Sequence, residues 1–375
     1  MFIVAIVLAV VFGLNFVFVA VAQYQTLNTA KENELTNIGN VITAVLQDRE
    51  LIAAGAAEII SYQPWVAKNL RSGDREELLK HSQTLFGRLR SAYGVNILQF
   101  FTPPAQALLF VEDPAMPASD FRATRRMVIA ANVQGVTQRG LELGPSGLAV
   151  RGIAPVKDNA DVVGVVEYAS DFQALLKQVS ALTDAQVATF IDSKLWNQAR
   201  KTAKEYTPER DQVIDGKRAA YSTDWDLTTA AVIPEVLAPT RGDRHTLRTI
   251  NGTDYGVLTM PLVDFSGQQI GFIVCVRNFS VLSAAFVDAL RFAAIRILLS
   301  FIITFGMVSI IFNSLLVRPV DSLLDKLKEL ISGRTDRLFT AEQRKEVDAV
   351  LEAAEQFRLK SPPAPNTTKP VARSS

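Results

Sequence analysis

The chain has 375 residues, 49% hydrophobic and 21% charged, with a formal net charge of +1. That length admits two or three domains, and the near-neutral balance argues against nucleic-acid binding, which shows as a basic patch or tail. A lone cysteine, Cys275, excludes an intrachain disulfide.

The first 22 residues carry no charge, and Asn15 is their only strongly polar side chain. About 20 such residues span a bilayer core as a helix. The "AVA" at residues 20–22 resembles a signal-peptide cleavage site, but no basic n-region precedes it. A retained anchor over residues 1–22 is the expectation. From there Leu35, Ile38, Ile42, Val45, Ile52, Ala56 and Ile59 recur at helical spacing, which predicts a stalk helix over residues 23–60.

The pattern then changes to short β-like runs with turn signals. "VNILQFF", "ALLFVED" and "GLAVRGIAPV" read as strands, with a helix over residues 119–132 between the second and third. "QVATFID" and "DYGVLTMPLV" follow, with a polar helical stretch near residues 195–204. Residues 154–172 and 260–279 share one pattern: an apolar residue, Pro, an apolar residue, a polar turn, then Gly, apolar residues and Phe. Two such endings, keyed on Gly164 and Gly271, suggest a duplicated module. The fold class is α+β: two antiparallel-sheet modules, residues 61–173 and 174–280, each with helices on one side.

Residues 281–296 are helical in pattern and feed a second uncharged run, residues 297–317. Arg318, Lys326, Lys328, Arg334 and Arg337 follow it, which suits the cytoplasmic side. Beyond Pro319, apolar residues at Val320, Leu323, Leu324, Leu327, Leu330 and Ile331 form a 3-4 seam, ended by Gly333; Val347, Val350, Leu351, Ala354 and Phe357 form another. Two short seams per chain call for a dimeric four-helix bundle over residues 318–360. The Pro-rich residues 361–375 read as disordered.

In this arrangement the chain resembles double-Cache receptors, the bacterial chemoreceptors and sensor kinases with paired PAS-like outer modules. The specific likeness runs over residues 107–172: Arg125, Val128, Ala131 and Asn132 in a helix, "GLELGPSGLAVRGIAPV" at residues 140–156, and "VGVVE" at residues 163–167. The stretch after the second apolar run resembles a HAMP domain, with Pro319 opening the first helix and Glu346-Val347 the second; Asp348 stands where that pattern has Gly. The resemblance implies a PAS-like fold for both modules, with residues 61–173 distal to the membrane and 174–280 proximal. Two departures bear on ligand chemistry. Phe110 and Glu112 stand where the family often has Arg and His, and Thr124 where Phe is usual. If that Arg and His meet an anionic ligand in relatives, an anion here opposes a carboxylate ligand.

Period-2 geometry puts Ala149, Arg151 and Ile153 on one face, and Val163, Val165 and Glu167 on another strand's face, with Glu142 on the strand before. Arg125, Glu142, Arg151 and Glu167 are therefore the candidate ligand-binding residues; the same four also suit a fold-fixing ion pair or a solvated face. Gly144, Gly147 and Gly152 suit turns or close packing. Trp225, Asp226, Tyr255 and Asp264 resemble an aromatic-carboxylate wall for an amine. Neither His81 nor His245 lies in a nucleophile motif, no histidine follows residue 317, and no catalytic constellation, metal cluster or cofactor motif is present. The expectation is a two-pass receptor of the bacterial inner membrane, not an enzyme. Its outer domain would bind a small molecule, and its relay would work as a homodimer or as a mixed dimer with a chemoreceptor or sensor kinase that supplies the output. A membrane-anchored adaptor that binds a protein partner is the alternative.

Overall fold

A computed structural model describes residues 2–199 and 212–331, with residues 345, 349, 350, 352, 353 and 356. It divides into two units, one of them Val19–Arg291. The expected second seam helix lies largely outside the described residues, and the tail wholly so.

Within Val19–Arg291 the chain runs the greater part of α1 (Phe2–Ser61), α2 (Pro64–Ser72), α3 (Arg75–Tyr93), β1 (Val95–Thr102), β2 (Gln106–Phe110), α4 (Arg126–Gln134), β3 (Gln138–Gly144), β4 (Gly147–Asp158), β5 (Asp161–Asp171) and α5 (Phe172–Thr183). It continues with β6 (Gln186–Asp192), α6 (Ser193–Ala199), β7 (Val213–Ile214), β8 (Lys217–Ser222), α7 (Trp225–Ala231), β9 (Arg244–Ile250), β10 (Thr253–Val263), β11 (Gln269–Asn278) and the start of α8 (Ser280–Phe312). Two antiparallel sheets result, ordered β2-β1-β5-β4-β3 and β7-β8-β6-β11-β10-β9. Apart from the short β7, the orders are the same, so the duplicated ending marks a duplicated sheet. Gly164 in β5 and Gly271 in β11 are equivalent: a Cβ on either would meet a carbonyl of the neighbouring strand, Phe101 O at 2.4 Å and Phe190 O at 2.1 Å. Only glycine tolerates that approach.

One helix serves both cores. Leu35, Ile38 and Ile42 of α1 pack with Phe172, Leu176 and Val179 of α5 and with Ile273 and Cys275 of β11. Higher up, Ala53, Ala57 and Ile60 of α1 pack with Val66 and Leu70 of α2 and Leu78 and Phe86 of α3 on the first sheet, against Phe100, Val156 and Val166. The expected face in this part of α1 is off by one residue: Ile52 and Ile59 are exposed, while Ala53, Ala57 and Ile60 are buried. The alanines win because the helix lies directly on the sheet at Gly152, where a Cβ would sit 2.1 Å from the carbonyl carbon of Ala53. A large side chain has no room there.

The helix expected over residues 119–132 begins later, at Arg126. Arg125 stays outside it at φ −103°, ψ 73°, held by contacts described below. α3 shows more regular punctuation: the Asp74 side chain caps it by accepting from Glu77 N–H, and Gly94 ends it in the left-handed region.

In the other unit, the first residues of α1 pack with α8, Phe12 and Phe301 meeting edge to face at 5.7 Å. Both helices are long and apolar enough to cross a membrane. A π-helical turn, Asn313–Val317, follows α8 and leads into α9 (Arg318–Ile331). The seam residues Val320, Leu323, Leu324 and Leu327 of α9 are exposed.

Candidate functional site

The four candidate residues meet on one face of the first sheet. Glu167 lies opposite Gln99 in the β1–β5 pairing and opposite Ile153 in the β4–β5 pairing. Arg151, two residues before Ile153, shares that face, and Glu142 reaches it from β3, whose Gly140 pairs with Arg151. Arg125 enters from the residue preceding α4.

They form a closed ionic quartet. Arg125 donates from Nε to Glu142 Oε2 at 2.9 Å and from Nη2 to Glu167 Oε2. Arg151 donates from Nη1 to Glu167 Oε1, from Nε to the Glu142 carbonyl at 3.2 Å, and from Nη2 to the Gly147 carbonyl at 3.2 Å. Glu142 Oε1 accepts the Met127 N–H at 2.9 Å, which satisfies a donor in the first turn of α4. None of the four is more than 4% exposed. Two cations face two anions, so the cluster is neutral as a whole. Burial alone would push the Glu167 carboxyl up, but Arg125 and Arg151 outweigh it and hold the group below the usual carboxylate range. Burial likewise opposes charge on Arg125, and Glu167 and Glu142 outweigh it. The Arg125 guanidinium also stacks over the Phe101 ring at 5.2 Å. Gly144 leaves room for this: a Cβ there would lie 2.9 Å from Arg151 Nη2.

A further carboxylate, Glu112, adjoins the quartet; the sequence marks it only as a departure from the family pattern. Gln99 Oε1 accepts from Arg125 Nη1 at 3.4 Å, and Gln99 Nε2 donates to Glu112 Oε1. Glu112 Oε2 accepts the Leu98 N–H at 3.3 Å. Burial pushes the Glu112 carboxyl up to about 7, against the hydrogen bonds from Gln99 and Leu98. The position next to Phe110 is filled by aromatics: Phe101, Phe110 and Phe121 meet edge to face at 5.9–6.4 Å and complete the core under α4.

Glu142 alone of the four also borders a small open cleft, shared with Thr124, Arg126, Leu143, Leu195, Gln198, Asp264, Phe265, Gln268 and Ile270. The four residues of the aromatic-carboxylate wall do not all come together. Trp225 and Tyr255 pack against the second module's core, whereas Asp264 lies beyond the other end of β10 and orders the turn there by accepting from Ser266 and Gln268 N–H. Among the described residues, no group of three or more His, Cys, Asp or Glu is placed to hold a metal ion.

The second sheet provides an internal comparison. Val274 stands three residues after Gly271 as Glu167 does after Gly164, and it pairs with Ala188 and Thr259 as Glu167 pairs with Gln99 and Ile153. Arg151 then corresponds to Val257. Ala188, Val257 and Val274 all lie in an apolar core. The same scaffold is therefore filled with aliphatic side chains in one module and with ions in the other.

Two sheets of one strand order on a shared helix, between helices of membrane-spanning length, define a paired-module α+β domain. The family described as the double sensory domain of two-component sensor kinases matches residues 29–281. The chain belongs to that family. No curated protein matches the chain. Solved structures similar to it include the sensor domain of the histidine kinase DctB from Vibrio cholerae, at 14% identity over 68% of this chain and 98% of that one, TM-score 0.39. Another is the sensory domain of the Campylobacter jejuni chemoreceptor Tlp3 with isoleucine bound, at 9% identity over 71% of this chain and 98% of that one, TM-score 0.42.

Proposed function

We propose that the chain is a two-pass receptor of a bacterial inner membrane. Its outer domain responds to a small molecule and passes the change through α1 and α8 to α9, the first helix of a HAMP-like bundle. The observation that carries this reading is that the sensory family covers residues 29–281, between helices that are themselves membrane-length. In this scheme residues 1–22 and 297–317 cross the membrane, 61–173 form the distal module, 174–280 the proximal one, and 318–360 the bundle. Arg318, Lys326 and Lys328 support a cytoplasmic place for α9. The exposed Val320, Leu323, Leu324 and Leu327 support a dimer, with a second copy or with a chemoreceptor or kinase chain.

Arg125, Glu142, Arg151 and Glu167 are the proposed ligand-responsive residues. A ligand in the cleft that donates to Glu142 would draw its carboxylate away from Arg125 and from the Met127 N–H, and so release the start of α4. Exchange of partners in a neutral buried cluster is a two-state event of the sort that biases packing.

The aromatic filling by Phe101, Phe110 and Phe121, with the closed quartet, favours the adaptor as second reading. Thermal unfolding of the full-length protein in nanodiscs, against a panel of metabolites, separates the two. A ligand at about 100 times its Kd adds about 2.7 kcal/mol, and one compound should do so in wild type and not in Glu142→Ala. No shift with any compound, together with specific retention of a protein by the outer domain, would replace the receptor with the adaptor.

A further inference from the structure

The quartet is balanced, yet a fifth ionisable group is wired to it. Glu112 follows β2 and is half-buried, so solvent reaches it while most of its surroundings are protein. Its two oxygens are both used as acceptors, one for Gln99 Nε2–H and one for Leu98 N–H. Gln99 in turn presents its only acceptor to Arg125. A single amide thus stands between Glu112 and the cation that holds Glu142 and Glu167.

We propose that Glu112, Gln99 and Arg125 form a proton-responsive site in the distal module, at which uptake of one proton from solvent by the Glu112 carboxylate changes what Gln99 offers to Arg125. The proposal rests on the sensory reading above and names protons as a stimulus for the same module.

The chemistry follows from donor and acceptor counts. The ionised carboxylate accepts from both neighbours, which fixes the Gln99 amide with its nitrogen toward Glu112 and its oxygen toward Arg125. Once protonated, the carboxyl has a donor of its own and one oxygen is weakened as an acceptor. The best partner for the new O–H is the Gln99 oxygen. Turning the amide to supply that oxygen presents its NH₂ to Arg125, donor against cation, and the link to the quartet opens.

The charged groups around Glu112 favour taking up the proton. Glu167 of β5 acts on it through space in that sense. Arg125 reaches it only through Gln99 and is already shared between Glu142 and Glu167. Arg151 of β4 is committed to Glu167 and to carbonyls. From α3, Arg75 is turned to the carbonyls of Leu108, Pro114 and Met116. Asp113, next in the chain, is itself partnered. With the quartet neutral, an ionised Glu112 adds one uncompensated negative charge to a partly dry site, which burial resists: its carboxyl is pushed up to about 7.

The test is a titration of the full-length protein in nanodiscs with carbon-labelled glutamate, read by carboxyl NMR. One glutamate should titrate between about pH 6 and pH 8, well above the ordinary range, and its signal should be missing from Glu112→Gln. Gln99→Leu removes a hydrogen bond to the charged form, so it should move that midpoint upward. If every glutamate titrates below about pH 5.5, or Gln99→Leu leaves the midpoint in place, the proposal is overturned. Wild type and Gln99→Leu keep the test decisive even where Glu112→Gln fails to fold. Because the titration reads the carboxyl itself, its failure leaves the sensory reading to the ligand experiment.

Discussion

The backbone of Ala53 in α1 rests on Gly152 of β4 with nothing between them: a Cβ on Gly152 would lie 2.1 Å from the Ala53 carbonyl carbon and 2.2 Å from its oxygen. Both atoms are main chain, so no side-chain rotation makes room. Gly152→Ala must lift the helix from the sheet, at a cost of about 3 kcal/mol or more, the upper end for overpacked cores. Thermal unfolding of the variant measures this. A Tm equal to wild type would mean that helix and strand are not in contact in the protein.

Glu167 is the hub of the quartet, accepting from both arginines. Glu167→Gln leaves two buried guanidiniums with one counterion, and breaking a buried pair in this way costs about 3–5 kcal/mol. The triple change Gln99→Ala, Arg151→Val, Glu167→Val copies Ala188, Val257 and Val274 of the second module and leaves Arg125 paired with Glu142. It should cost less than the single change, because apolar replacement removes the charges along with the partners. Denaturant unfolding of both variants decides it: a triple variant weaker than Glu167→Gln would show that the ions themselves hold the module together.

Acid should act on the same group. The folded-state carboxyl of Glu167 is held below its ordinary value, so its stabilisation is present above the unfolded value and is lost as pH falls through the folded one. Glu112 has the opposite sign: from its ordinary range up to about 7 the folded protein keeps a proton that the unfolded chain has lost. Stability therefore declines as pH rises across that window. Tm against pH should show a fall on the acid side and a second, gentler fall toward neutrality. The second should vanish in Glu112→Gln; a flat wild-type profile there would contradict it.

The seam of α9 predicts where two chains touch. Leu323 and Leu327 are exposed on one side of the helix, and Ser322 lies on the other. In membranes, Leu323→Cys and Leu327→Cys should give disulfide-linked dimers and Ser322→Cys few. Cys275 will not interfere, since it is fully buried and burial pushes its thiol up. Equal yields at all three positions would exclude a seam.

Much of this architecture is legible in the sequence because it rests on local rules. Period-2 alternation fixed the shared face of Arg151 and Glu167, and the paired Gly164 and Gly271 announced the repeated sheet. What escaped depends on contacts distant in sequence. The buried face of α1 switches to Ala53 and Ala57 because of Gly152, about a hundred residues away, and no periodicity within the helix records that. Arg125 was expected inside a helix, but carboxylates on β3 and β5 keep it outside. The strands β8 and β9 and the helices α2 and α3 went unassigned, their polar faces diluting the pattern. Gln99 gave no signal at all: an amide in an apolar strand is informative only once its two neighbours are in place.

The common strand order of the two sheets also speaks to descent. If both came from one ancestral module, the aliphatic set Ala188, Val257 and Val274 and the polar set Gln99, Arg151 and Glu167 are two outcomes from one starting point. After the copying, one half was free to keep a conventional interior while the other accumulated charge, and these three positions record part of that divergence. Homologous chains should then vary at Gln99, Arg151 and Glu167 as a group, because a lone arginine or a lone glutamate at that depth is an intermediate selection would remove.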